Sequence, residues 1–144
     1  MKPVNEMKVE FMSHSVNERL ARSVTAAFAA QADPTVEELS DLRTAVSEAV
    51  TNCIVHAYAD RIGSIRMLLR LFEDGRITVK ISDRGCGIPD IEKARTPLFT
   101  TGGEDRSGLG FSVMESFCDA VRVRSRVGKG TVVTLVKRLS GRDS

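Results

Sequence analysis

The sequence predicts an α+β protein, a two-layer sandwich with helices on one face of a mixed, mainly antiparallel sheet. Three observations carry this. The apolar period changes along the chain and gives the order strand, helix, helix, strand, strand, long loop, helix, strand, strand. Helical and strand patterns are partly segregated instead of alternating as in a βαβ protein. The chain has 144 residues, 42% hydrophobic and 28% charged, which suits a single globular domain over 1–144 with its own core.

Each element rests on its own residues. Met7 to Met12 alternates apolar and polar side chains, the pattern of a half-buried strand. Ser15 and Glu18 have the spacing of a capping box, and Leu20, Val24, Ala27 and Phe28 form an apolar stripe behind them. Asp33-Pro34 ends the connection that follows. Thr35 and Glu38 make a second capping box, and Leu39, Leu42, Val46, Ala49, Val50, Cys53 and Ile54 recur at helical spacing to about Ala57. Ser64 to Phe72 and Arg76 to Ser82 are rich in Ile, Val and Leu, and the Asp74-Gly75 step between them signals a hairpin. After DRGCGIPD comes a short helix, IEKAR. Thr96 to Gly110 has four glycines and no periodicity, so it reads as a long loop. Phe111 to Phe117 reads as a helix. Asp119 to Arg126 and Thr131 to Arg138 read as strands joined by a turn at Val127-Gly128-Lys129-Gly130, and the tail SGRDS reads as frayed.

Composition excludes several functions. A net charge of +2 is too small for a protein that holds nucleic acid by a basic stripe. The N-terminus MKPVNEMKVEF has no apolar leader core, and no run nears the ~18 apolar residues of a membrane span. A cytoplasmic protein is expected. Cys53, Cys86 and Cys118 are too few and too scattered for a disulfide framework or a zinc site. Cys53 and Cys118 read as core filler, and Cys86 as a neighbour of a functional loop.

Three short motifs carry chemistry. Asp83-Arg-Gly85-Cys-Gly87 follows a strand, where glycine lets a ligand approach the backbone; alone it is equally an ordinary turn. Ser107-Gly108-Leu109-Gly110 precedes a helix, whose N–H groups favour an anion, and Arg106 beside it can pair with phosphate oxygens. Neither cluster fits a P-loop or a dinucleotide fingerprint. Glu48, Asn52 and His56 recur every fourth residue, so a helix stacks them in one row. The row reads either as a polar flank or as a site where Glu48 and Asn52 hold a water or Mg²⁺ beside phosphates. His56 reads as a helix-end residue.

Taken in order, the chain has ExxxNxxxHA from Glu48 to Ala57, DxGxGI from Asp83 to Ile88, a Gly- and Thr-rich loop, GxG from Gly108 to Gly110, and GxGT from Gly128 to Thr131. This resembles the ATPase and kinase superfamily of gyrase, Hsp90, histidine kinases and MutL, with its left-handed Bergerat-type ATP-binding fold. The resemblance implies ATP (with ADP as product) and Mg²⁺ as ligands, and an ATP lid over about 95–110. It implies Asn52 as Mg²⁺ ligand, Asp83 as acceptor for the adenine amino group, and Gly85 and Gly87 as room for the purine. Gly108 and Gly110 would shape the phosphate end of the lid, with Thr100, Thr101, Ser107 and Leu109 in the nucleotide-contacting set. Thr131 would support adenine, Glu48 would be the general base, and Arg106 would reach the γ-phosphate.

Only about 47 residues precede Glu48, too few for the dimerisation helices of a two-component histidine kinase. The stretches FAAQADPTVEELSDLRTAVSEAVTNCIVHAY, DRGCGIPDIEKARTPLFTT and RSGLGFSVMESFCD are similar to bacterial anti-sigma factors that are also serine kinases, the sporulation anti-sigma F family. That resemblance implies a homodimer that holds a sigma factor of the sigma F type when ATP is bound. It also implies phosphorylation of a serine on an anti-anti-sigma factor, with Glu18 and Arg22 as partner-binding residues and no direct contact with nucleic acid or membrane. The first strand is the candidate dimer edge. The lid departs from the family at Gly102-Gly103-Glu104-Asp105, where Lys-Pro and a longer acidic stretch are expected. A kinase for a general-stress sigma factor, or an ATP-gated binder without kinase activity, would share all four motifs.

Overall fold

The computed structural model describes residues 1–95 and 110–141. Five strands form one sheet: β1 (Asn5–Met12), β2 (Ser64–Leu71), β3 (Arg76–Asp83), β4 (Ala120–Arg126) and β5 (Gly130–Arg138). The order across it is β1-β2-β3-β5-β4, and every pairing is antiparallel. The sheet is thus not mixed as expected. The chain reaches β5 by way of β4, so β5 returns against β3 in the opposite sense.

The helices are α1 (Asn17–Ala29), α2 (Val36–Asn52), α3 (Ile91–Arg95) and α4 (Phe111–Phe117). Strand alternation sorts the sheet into two faces. Ile65, Met67 and Leu69 of β2, Ile77, Val79 and Ile81 of β3, and Val133 and Leu135 of β5 are buried in one cluster with Leu42, Ala45, Val46, Ala49 and Val50 of α2. Truncating such a residue, Leu42 for example, typically costs about 2–5 kcal/mol. The opposite face carries Arg66, Arg70, Lys80, Arg122 and Arg124.

Helix α2 begins as its sequence predicts. Glu38 N–H donates to Thr35 Oγ1 at 3.1 Å, and the Glu38 carboxylate accepts from Thr35 N–H at 2.9 Å. Helix α1 does not: its cap is Val16, with no side-chain hydrogen bond. The Glu18 carboxylate that would complete the box is taken by Arg22 at 2.5 Å and by the Ser47 hydroxyl at 2.8 Å. The buried stripe of α1 is also rotated from the predicted one. Ala21, Thr25, Phe28 and Ala29 are buried, whereas Leu20 is 45% exposed and Ala27 is exposed.

Two ends differ as well. Ser140 is held in place: its N–H and hydroxyl donate to Glu38 at 2.8 and 2.7 Å. Beyond Asn52 the α-helix continues as a π-helical turn, Cys53–Ala57, closed by Tyr58 N–H donating to the Cys53 carbonyl at 3.0 Å. Single π turns of this kind are frequent at functional sites.

Candidate functional site

The site grows from the end of β3. Asp83 is the last residue of that strand and lies opposite Thr131 in β5. Its Oδ1 accepts two backbone N–H groups, from Gly85 at 2.9 Å and from Thr131 at 3.2 Å. Its Oδ2 accepts from the Cys53 thiol at 3.5 Å. Burial, then the Asp83 charge, push the Cys53 thiol well above the usual cysteine range, so it stays protonated and can donate.

The loop after Asp83 is braced on three sides. Tyr58, 4% exposed, donates its hydroxyl to the Ser64 carbonyl at 2.7 Å and accepts Arg84 N–H at 2.6 Å. Ser125 accepts Ile88 N–H at 2.7 Å and shares a 2.7 Å hydrogen bond with Thr131 Oγ1. The third brace is close packing. A Cβ on Gly85 would run into Ala57, and one on Gly87 would meet the backbone of Arg126 and Val127. What these glycines make room for within the chain is therefore the end of the π turn and the β4–β5 turn.

Against this loop lies a cavity of about 280 Å³. Asn52 and His56 line it from the helix, Asp83 and Thr131 from the strands, Gly87 and Ile88 from the loop, and Ala49, Phe111 and Val133 give it apolar walls. A mainly apolar cleft with a few fixed polar groups is the form of a small-molecule site.

The structure brings Asn52, Asp83, Gly87 and Thr131 together at the cavity, with Gly85 bonded to Asp83 behind it. Glu48 lies one turn back along α2. Its carboxylate sits where a Cβ on Gly110 would stand, at the start of α4. Glu18 and Arg22 stand apart on α1 as an ion pair, with side chains 23% and 33% exposed. Thr100, Thr101, Arg106, Ser107, Gly108, Leu109 and the Gly102–Asp105 departure lie outside the described residues. His56, within the π turn, also lines the cavity.

Among the described residues no group of three or more His, Cys, Asp or Glu could hold a metal ion. Asn52 is a neutral oxygen donor, which suits an ion such as Mg²⁺ that keeps several waters and takes its other ligands from phosphates. Three residues of the site carry no family-independent signal in the sequence. Tyr58 follows the helix, Ser125 is one small residue in an Arg-rich strand, and Cys53 fits the apolar row of α2. Their roles come from which elements the fold sets side by side.

The model of the histidine kinase-like ATPase domain family matches residues 12–137. An anti-sigma F factor from Caldanaerobacter subterraneus subsp. tengcongensis is 54% identical over 134 residues, covering 92% of this chain and 93% of the relative. This chain belongs to the anti-sigma F factor family, within the histidine kinase-like ATPase domains. An anti-sigma F factor from Pasteuria penetrans is 52% identical over 139 residues, covering 94% and 91% of the two chains. Among solved structures, the RsbU and RsbW domains of a Mycobacterium tuberculosis protein give a TM-score of 0.69 at 20% identity, over 95% of this chain and 33% of that one. The histidine kinase domain of a blue-light activated kinase from Erythrobacter litoralis gives 0.54 at 21% identity, over 83% and 59%. These two likenesses bear on the fold, which is that of the family. No helix among the described residues is long and apolar enough to cross a membrane.

Proposed function

We propose that this chain binds ATP in the cavity beside Asp83 and, so loaded, holds a sigma factor of the sigma F type inactive. We propose further that it is a serine kinase that phosphorylates an anti-anti-sigma partner. The observation that carries the nucleotide reading is the meeting of Asp83 and Asn52 in one cavity. An ionised carboxylate accepts hydrogen bonds only, so it suits the amino group of adenine and rejects the carbonyl of guanine. Thr131, hydrogen-bonded to Ser125, supports the same base. The partner reading rests on the curated relatives at 52–54% identity.

Asn52 would hold Mg²⁺, which neutralises phosphate charge during transfer. Glu48, one turn back along α2 and against Gly110, would stand on the phosphate side and accept the proton of the incoming serine hydroxyl. Arg106 would reach the γ-phosphate. The protein would act as a homodimer in the cytoplasm. β1, one of the two edge strands of the sheet, would offer its outer backbone groups to a second copy. Glu18 and Arg22 would form the partner-binding patch on α1.

The test uses purified components. Capture of sigma F is expected with ATP and weakened with ADP, and label from ATP is expected on a serine of the anti-anti-sigma factor. Glu48→Ala is expected to keep nucleotide binding and lose phosphotransfer by about 10²–10⁴-fold, the usual share of a general base. Full transfer by Glu48→Ala would remove that role. Sigma capture without any label on the second partner would leave an ATP-gated binder. Capture of a general-stress sigma factor in place of sigma F would reassign the partner.

A further inference from the structure

We propose that Cys53 is a positioning residue for nucleotide recognition: its thiol fixes the Asp83 carboxylate so that one lone pair of Oδ2 faces the cavity. The inference rests on the reading of Asp83 as the acceptor for the adenine amino group.

The argument is one of lone pairs. Each carboxylate oxygen accepts two hydrogen bonds in its plane. On Oδ1 both places are taken, by Gly85 N–H and Thr131 N–H. On Oδ2 one is taken, by the thiol of Cys53. Counting the donors among the described residues, the place left over is therefore on Oδ2. Cys53 is 3% exposed and lines the same cavity as Asp83. The Ala49 carbonyl lies at the same 3.5 Å from the sulfur and competes for the single S–H. A charged acceptor outbids a neutral one, so the proton points to Asp83.

Without that donor the carboxylate is held at one oxygen only and can turn about the bond that joins it to the side chain. Oδ2 would then sample orientations that miss the base. An apolar residue at position 53 would fill the same space and supply no donor. The inference therefore separates a chemical role for Cys53 from a packing role.

Two nucleotides and three variants decide it. The nucleotides are ATP and purine riboside triphosphate, which lacks the 6-amino group. The wild type is expected to bind ATP more tightly. Cys53→Ala and Cys53→Val, the second keeping the volume, are expected to weaken ATP about three- to tenfold, the range of one ordinary hydrogen bond, since a thiol is a weak donor. Both should leave the analogue's affinity unchanged. Cys53→Ser is expected to restore ATP binding to near the wild-type level. Equal weakening for both nucleotides, or no change for either, would overturn the role of Cys53. A wild type that binds both nucleotides equally would show that Asp83 does not take the amino group, and would overturn both readings without any variant.

Discussion

Tyr58 joins the site to the frame with a single hydroxyl group. It donates to the Ser64 carbonyl at the start of β2 and accepts Arg84 N–H in the Asp83 loop. The side chain is buried, and removing its hydroxyl takes away both hydrogen bonds at once. Tyr58→Phe is expected to lower stability by about 1–3 kcal/mol, the loss of two hydrogen bonds at about 0.5–1.5 kcal/mol each. Denaturant unfolding measures it, and an unchanged midpoint would show that the loop does not depend on this brace. At this scale the sequence showed some residues and hid others. Gly85, Gly87 and Gly130 stand where a Cβ has no room; on Gly130, with φ of 124°, it would strike the Asp83 carbonyl. Asp83 stands out through the glycines that follow it. Ser125 and Tyr58 do not, because each gains its role from a strand or loop far away in the chain.

Among the elements, α1 and α2 show how far a local signal reaches. Both begin with a capping-box spacing, and only Thr35–Glu38 forms one. The difference is the use of the carboxylate: Glu38 has a cap to return to, whereas Glu18 is bound to Arg22 and to Ser47 of the neighbouring helix. Thr35→Ala is expected to cost about 1 kcal/mol, seen as a lower melting temperature. Ser15→Ala should have no such effect, since the cap of α1 makes no side-chain hydrogen bond. A drop for both, or for neither, would contradict this account. The π turn of Cys53–Ala57 was likewise hidden. Spacing of four places Glu48, Asn52 and His56 in one row only if the helix keeps its period. Here the period widens after Asn52, where Tyr58 N–H bonds back to Cys53 and the Cys53 thiol bonds to Asp83.

For the whole molecule, periodicity gave the number and order of elements, and pairing settled the rest. A strand pattern does not say which neighbour it will meet, so the expected mixed sheet became an antiparallel one once β5 inserted between β3 and β4. The same long-range closure ties the two ends of the fold together at Glu38. Its carboxylate caps α2 and also receives Ser140, just past β5. Partial burial alone would raise its pKa, but the hydrogen bonds from Ser140 and Thr35 outweigh it and hold the carboxyl down at about 2, against an ordinary 4.5. Folding thus favours the ionised form. The stability this gives is complete above the unfolded value near 4.5, and it is lost as the pH falls from there through about 2. Glu38→Gln has no carboxyl to titrate. Urea unfolding of both proteins from about pH 6 to about pH 2.5 should show a constant advantage for the wild type above about pH 5, narrowing steadily below it. A gap that stayed the same at every pH would mean that the charge of Glu38 adds nothing, and that the link between α2 and the C-terminal segment is held by hydrogen-bond geometry alone.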